Sequence, residues 1–589
     1  MEASLKRSRK VWHLLPHDPI AIEQLGKALR VPPIVAQLLL NRGLGDVAEA
    51  QRFITCPLSG LHEPELLPGV NGAVDRLWAA VQDKRRICVY GDYDVDGVTA
   101  TAILLTCLKL LGGVVEYHVP HRLEDGYGLS NETLGKLAQS GVQVVVTVDC
   151  GIASIEEAEE AKRLGLELLI TDHHEPKATL PNAPVLVHPR LTIDGMTYPF
   201  GQLSGSGVAF KLAWALCKKA CGSPKVSTPL REFLLDAVLL ASMGTIADVV
   251  PLHDENRIFV RHGLVRLKSK PSIGIQALLK QAKLEGKSNL SAVDIGYTLA
   301  PRINAAGRLG TARLAVELFT TASPQRAEFL ADYLERQNVE RQGIERKIMS
   351  EAREQADRYA AHSALVLASA DWHPGLLGIV ASRLVDQFAR PVLMIALREG
   401  LPGSGSGRSV PGFKLHEALQ ECTAHLIGHG GHAAAAGFRI PPASIDPFRE
   451  QFCAVVSRHF GAEPPPHRLV IDGEIQLTSL TTGLMQAIEQ LEPYGSANPP
   501  PLLLADGLQV VGEPRRVGGG ERHLSLRVKQ NGREVRGVAF GMGDRLEELM
   551  SEGGRCSLVF TPRWNEWQGY RSVEIEVKDF QAGHEPKVE

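Results

Sequence analysis

Residues 90–100 read YGDYDVDGVTA, directly after the apolar run RRICVY. Asp92, Asp94 and Asp96 therefore stand at alternate positions just past a stretch whose apolar texture predicts a buried strand. Like charges this close repel, and each carboxylate resists losing its water. The arrangement is costly unless a cation or several hydrogen bonds compensate. The stretch asks for a positive partner.

Working outward, the short β-rich runs VVEYHV (114–119), VQVVVTVD (142–149), LELLITD (166–172) and PVLVHP (184–189) alternate with helical segments such as TATAILLTCLKLLG (99–112) and SIEEAEEAKRLG (154–165). Apolar strands separated by helices predict an α/β fold with a parallel sheet covered on both faces. Ligands of such sheets bind outside the carboxyl ends of the strands. That rule gathers Asp149, which closes VVVTVD, and Asp172, His173 and His174, which close LELLITDHH, beside the first three acids. Asp248, set in the apolar run LLASMGTIADVVPL (239–252), joins the same cluster, because an unpaired carboxylate there would be expensive. A single Asp at a strand end commonly caps the next helix. Recurrence at successive strand ends points instead to a site.

Several carboxylates with one or two histidines form a hard-to-borderline donor set, suited to Mn²⁺ or Mg²⁺ rather than to structural zinc. Two ions about 3.5–4 Å apart would generate a nucleophile from water and clamp a phosphoryl oxygen. The chemistry indicated is phosphoester hydrolysis.

At 589 residues the chain is too long for one core and predicts several domains. Its 44% hydrophobic and 22% charged residues are ordinary for a soluble globular chain, and no apolar run approaches the ~20 residues of a membrane helix. The start, MEASLKRSRKVWHLLP, lacks the apolar core of a secretory signal, so the expectation is a cytoplasmic protein. Nine scattered cysteines, never in a C-x-x-C, read as reduced thiols; Cys217 and Cys221 share a helix face without a second pair to complete a metal site. A formal charge of −3 excludes a globally basic nucleic-acid binder, so any polyanion site must be built locally.

The texture divides the chain into a helical lead-in (1–80), an α/β catalytic domain (81–320), a charged connecting helix (321–360) read as solvated, a second α/β domain (361–462) and, after the Pro-rich GAEPPPHR, a C-terminal β module (463–589). The last reads as a small OB-like β-barrel.

The segments YGDYDVDG, VVTVDCG, ITDHH, GTIADVVPL, PRINAAGRL, HPGLLGIVASRL, GSGRSV and GHGGHAAAAGF occur in that order between residues 90 and 438. With them the sequence resembles the DHH phosphoesterase superfamily, named for the triplet seen at Asp172, His173 and His174, and within it the RecJ family of bacterial single-strand-specific DNA exonucleases. The resemblance implies a metal-dependent 5′-to-3′ exonuclease of DNA repair and recombination, with a DHH domain, a DHH-associated domain and an OB-fold. It implies Asp94, Asp96, Asp149, His173 and Asp248 as metal ligands, with Asp149 bridging two Mn²⁺ or Mg²⁺ ions and His174 a ligand, an orienting group or an acid. Tyr90 stands where smaller-substrate members of the superfamily carry a metal-binding His, and Asp92 is the candidate replacement. Implied partners are single-stranded DNA, a single-strand-binding protein and a helicase.

The remaining motifs suit a long polyanion. In GHGGHAAAAGF, Gly430 and Gly431 expose backbone N–H groups before an expected helix, and His432 can donate to phosphate. GSGRSV, read as a flexible loop, supplies Ser406 and Arg408, while PRINAAGR supplies Arg302, Asn304 and Arg308, and PHRLEDGYG supplies Arg122. For any one of these arginines a surface salt bridge is the ordinary explanation. Arg122, Ser406, Arg408 and the GHGGH turn are the expected pocket for a 5′ phosphate. Tyr494, Trp564 and Trp567 are candidate base-stacking platforms, with core packing the competing role. Two other functions fit the chemistry: a DHH phosphodiesterase of oligoribonucleotides or cyclic dinucleotides, which would not need the β module, and an inactive DNA-binding scaffold, which would not keep the ligands.

Overall fold

Every side chain of Arg86–Tyr90 (β1) after the first is buried, as a strand covered on both faces requires. The computed structural model describes residues 10–121, 128–308, 310–461, 468–567, 570–583 and 586–588. In it Val114–His118 (β2), Val144–Thr147 (β3), Glu167–Thr171 (β4) and Val185–Val187 (β5) join β1. All pair in parallel, in the order β2-β1-β3-β4-β5, with Tyr90 beside Thr147 and Val146 beside Leu169. Because β1, β3 and β4 are neighbours running the same way, the loops after them leave one edge side by side. That edge carries the acids.

Helix Val95–Leu110 (α1) shows why this sheet edge is rigid. It is apolar all round, the mark of a helix buried on every side. Ala100, Ile103 and Leu104 pack with Val89, Val146 and Phe210, while Val98, Ala102 and Leu105 pack with Leu299, Ile303 and Val316. Two of its threonines return their hydroxyl protons to their own helix, Thr99 to Val95 and Thr101 to Gly97. Helices Gly205–Cys221 (α2) and Thr228–Ala247 (α3) pack against it, and Ala300–Arg308 (α4) follows a π-helical turn at Ile295–Leu299.

The chain forms two compact units, Asp18–Asn338 with Gly483–Pro500, and Met1–His17 with Val339–Thr482 and Pro501–Glu589. The charged segment is a 35-residue helix, Pro324–Arg358 (α5). It is not the fully solvated rod its charges suggest. Leu330, Leu334, Ile348, Ala352 and Ala356 are buried, and the buried Arg341 and Glu345 pair at 2.7 Å.

The second unit holds a five-stranded sheet of Leu365–Ser369 (β6), Val392–Arg398 (β7), Leu401–Arg408 (β8), Gly428–Gly431 (β9) and Ala435–Ile440 (β10), ordered β9-β10-β8-β7-β6. Two expectations are corrected here: GSGRSV is not a flexible loop, and GHGGHAAAAGF does not lead into a helix. The first lies largely in β8 and the second is a hairpin of β9 and β10. Gly403, Gly405 and Gly407 alternate along β8 and all point inward, where the Phe438 ring covers Gly405. The glycines make room for neighbours and do not mark a hinge.

In the C-terminal module the strands Leu503–Val510, His523–Gln530, Arg533–Ala539, Arg555–Trp567 and Tyr570–Ala582 form an OB-domain sheet whose ends meet over just two residue pairs, Gln509 with Lys529 and Val510 with Val528, so the barrel is only narrowly closed. The lead-in is not wholly helical either. Val11–Leu14 is a strand paired in parallel with Arg468–Ile471, and buried Trp12 donates from Nε1 to Asp579 at 2.8 Å. Among the described residues no helix is long and apolar enough to cross a membrane.

Candidate metal centre

Each acid is aimed by backbone. Asp94 caps α1, accepting from the Gly97 N–H at 3.1 Å. Asp96, in the first turn, accepts at both oxygens from the start of α2: Gly205 N–H at 2.6 Å and Ser206 N–H at 3.0 Å. Those donors have no partner within α2, so Asp96 answers a need the helix already has. Asp149 follows β3 in the left-handed region, φ 63°. Asp172 closes β4 and accepts from the N–H groups of Ile152 at 2.9 Å and His173 at 2.7 Å. Asp248 is the C-terminal cap of α3, and Val249 after it sits at φ 60°, a strained value for a β-branched residue.

These elements bring the side chains together. His173 Nε2 lies 3.1 Å from Asp149 Oδ1, 3.6 Å from Asp248 Oδ2 and 3.9 Å from Asp96 Oδ2. Asp96, His173 and Asp248 form one donor group, Asp92, Asp94 and Asp149 a second, and Asp149, His173 and His174 a third, in each of which the donor atoms lie within 4.8 Å of one another. Asp149 and His173 each belong to two groups. Tyr90 is buried and occupied elsewhere, its hydroxyl donating to the Gly128 carbonyl at 3.0 Å.

Burial dominates the electrostatics. It pushes the Asp149 carboxyl well above the usual range, helped by the charges of Asp96, Asp94, Asp92 and Asp248. Burial and then Asp96 do the same to Asp248, and raise Asp94. Burial lowers His173 to about 4, leaving a neutral imidazole. Burial works against the charge on His174 too, but its Nδ1 lies 2.7 Å from Asp172 Oδ1 and that bond lifts it to about 9. Burial likewise opposes the Asp172 charge, and the same bond, with the backbone donors, holds Asp172 down at about 2. Both Asp172 oxygens are thus engaged by backbone N–H groups and His174.

Like charges about 4 Å apart repel by about 4 kcal/mol at an effective dielectric of 20. A few such pairs would consume the roughly 5–15 kcal/mol that holds a domain folded. The ionised set therefore requires cations. The donors fit that requirement. Both ring nitrogens of His173 are buried without a hydrogen-bond partner, and Nε2 faces three carboxylates. Oxygen donors with one or two imidazoles suit Mn²⁺ or Mg²⁺.

The other expected site residues are placed less uniformly. Arg302 pairs with Glu335 at 2.5 Å, Asn304 accepts from the Val95 N–H at 3.2 Å, and Arg308 is partly buried at the end of α4. Tyr494 belongs to Gly483–Pro500 and donates to the Ile488 carbonyl at 2.8 Å. Arg408 donates to the Gly407 carbonyl at 2.8 Å and the Ser406 hydroxyl at 3.4 Å. Gly430, Gly431 and His432 are exposed along the β9 hairpin. Arg571 stacks over Trp564, 4.5 Å from the ring centre. Arg122 and the Trp567 side chain lie outside the described residues.

Sequence reasoning missed the socket around Asp96. A methyl group on Gly244 would collide with Asp96 Oδ1 and the Ser206 hydroxyl, and one on Gly205 would collide with Asp149. The available signal was LSGSGV, a Ser cap followed by small residues at a helix start.

Comparison with known proteins agrees along the chain. The family model for the DHH family, N-terminal domain, matches residues 86–242, that for the DHHA1 domain 360–458, and that for the RecJ OB domain 471–579. A single-stranded-DNA-specific exonuclease RecJ of Dickeya dadantii is 37% identical over 96% of this chain and 98% of its own length. The crystal structure of RecJ in complex with Mn²⁺ from Thermus thermophilus superposes with a TM-score of 0.82 at 33% identity, covering 98% of this chain and 80% of that one. The Mg²⁺ complex from the same organism gives 0.77 at 31% identity, covering 99% and 79%.

Proposed function

The chain belongs to the RecJ family, and from that premise we infer that it is a single-stranded-DNA-specific exonuclease, hydrolysing phosphodiester bonds from the 5′ end with divalent metal in DNA repair and recombination. The observation that carries this reading is the convergence of Asp92, Asp94, Asp96, Asp149, His173 and Asp248 on one sheet edge with a donor set that fits Mn²⁺ or Mg²⁺. Two donor groups that share Asp149 would hold a pair of ions.

Cations bound there would supply a nucleophile from water at neutral pH and neutralise charge on the phosphoryl oxygens. The chain's own residues do the rest. Asp96, locked between the Gly205 and Ser206 N–H groups, keeps its position before any ligand arrives. His174, with Nδ1 committed to Asp172, keeps its proton near neutral pH and offers Nε2 to the leaving oxygen.

For the strand terminus we assign Ser406 and Arg408. Both lie against Gly378 at the start of helix Leu377–Phe388, with Arg408 Nη2 2.7 Å and Ser406 Oγ 3.1 Å from where a Cβ would stand. A guanidinium, a hydroxyl and a helix start in one place suit a terminal phosphate. Strand independence of base sequence follows from phosphate contacts, which carry no base-edge code. A single-strand-binding protein and a helicase are the partners this substrate suggests.

The test uses purified protein, Mn²⁺ or Mg²⁺, and single- and double-stranded oligonucleotides labelled at either end. Mononucleotide release from the 5′ end of single strands alone is expected. Activity confined to short oligoribonucleotides or cyclic dinucleotides, or none at all, would overturn the reading.

A further inference from the structure

In the helix formed by PRINAAGR, Arg302 and Asn304 turn to backbone and to Glu335, although residues of these types suit a phosphate equally well. Asn304 Oδ1 accepts from the N–H of Val95, the residue between Asp94 and Asp96. About one turn on, buried Gly307 packs so closely on the Tyr93 carbonyl that a Cβ would collide with it. Arg302, from the same helix, is taken up by Glu335 and the Thr298 carbonyl, each at 2.5 Å. Both α4 contacts therefore fall on Tyr93–Val95, the backbone that carries Asp94 and links Asp92 to Asp96.

The Val95 N–H is one of the opening donors of α1 that no residue of that helix can satisfy. Asp94 caps the helix through Gly97, so Asn304 takes the donor that Asp94 leaves. Losing it would leave a donor short of a partner and loosen the turn that sets the spacing of three acids.

We propose that Asn304 and Gly307 are positioning residues of the metal centre, holding Tyr93–Val95 so that the neighbouring carboxylates stay aimed at the cations, and that Asn304 is not a DNA-binding donor. This rests on the reading of the acids as metal ligands, and Mn²⁺ binding by the unaltered chain tests that reading separately.

The experiment titrates Mn²⁺ alone into the full chain by calorimetry for wild type, Asn304→Ala and Asn304→Asp, alongside kcat, KM and melting temperature on a single-stranded oligonucleotide. Asn304→Ala should weaken Mn²⁺ binding by about tenfold or more, as loss of a ligand-orienting partner does, and lower kcat with little change in KM. Asn304→Asp keeps an acceptor for the Val95 N–H and should restore both toward wild type. A DNA-contacting Asn304 gives the reverse order: a carboxylate facing phosphate makes Asn304→Asp worse than Asn304→Ala, with KM raised and Mn²⁺ affinity unchanged. That order overturns the proposal, as does a lowered melting temperature with unaltered Mn²⁺ binding. If Asn304→Ala does not fold, Asn304→Asp against wild type decides: preserved Mn²⁺ affinity with an unchanged KM supports the proposal, and a raised KM or a lost Mn²⁺ affinity overturns it. A wild type that binds no Mn²⁺ would instead remove the metal centre itself.

Discussion

The acidic edge of the first sheet and the glycine-rich strands of the second are built on opposite rules. At the first, Asp92, Asp96, Asp149, Asp172 and His173 are all buried, and backbone N–H groups fix Asp96 and Asp172. At the second, Gly430, Gly431 and His432 lie exposed, and Arg408 rests on its own strand's carbonyl. Holding cations demands donors immobilised in advance, because every freely rotating carboxylate would lose conformational entropy on binding. Following a polyanion demands accessible backbone and cationic side chains that any phosphate can meet.

That contrast should break most completely at Asp149. Asp149→Ala is expected to abolish turnover in a single-turnover nuclease assay. Binding of single-stranded DNA should stay within about tenfold, since most affinity comes from dispersed phosphate contacts. Near-wild-type turnover would remove the carboxylate from the centre.

Gly244→Ala disturbs the acidic edge without removing a ligand. Its methyl would press on Asp96 and Ser206. Turnover and Mn²⁺ affinity should both fall by up to about a hundredfold, against an overpacking cost of ~1–3 kcal/mol in denaturant unfolding. Unchanged Mn²⁺ affinity by calorimetry would mean that the socket yields freely.

The smallest effect belongs to the second unit. Arg408→Ala should slow hydrolysis of 5′-phosphorylated strands by about tenfold, the ~1.5 kcal/mol of one charged hydrogen bond, while 5′-hydroxyl strands and Mn²⁺ affinity are barely altered. Comparing both substrates with wild type and variant gives a four-way cycle. Equal slowing of the two substrates would show that Arg408 follows the strand along its length and does not read its end.

The two sheets also differ in how plainly their sequences announce them. Asp92, Asp94, Asp96, Asp149 and Asp248 stood out because a carboxylate in or beside an apolar run is expensive, so its presence is itself a signal. Parallel strands then fixed which edge they share. Glycine carries no such signal. The alternation of Gly403, Gly405 and Gly407 fits a loop as readily as a strand packed beneath Phe438, and only the tertiary neighbour decides. The Gly205 and Ser206 donors are backbone, which every residue but proline possesses. Asn304 suits a phosphate and an N–H equally by type. The pairing of Val11–Leu14 with Arg468–Ile471 joins segments far apart in the chain and leaves no local trace in the sequence.

If the buried acids act only through divalent cations, hydrolysis must stop without them. A 5′-phosphorylated single strand is given to the wild-type chain after exhaustive chelation, then after addition of Mn²⁺ to the same sample. No product is expected in the first state and full recovery in the second. Product release in verified metal-free buffer would contradict it.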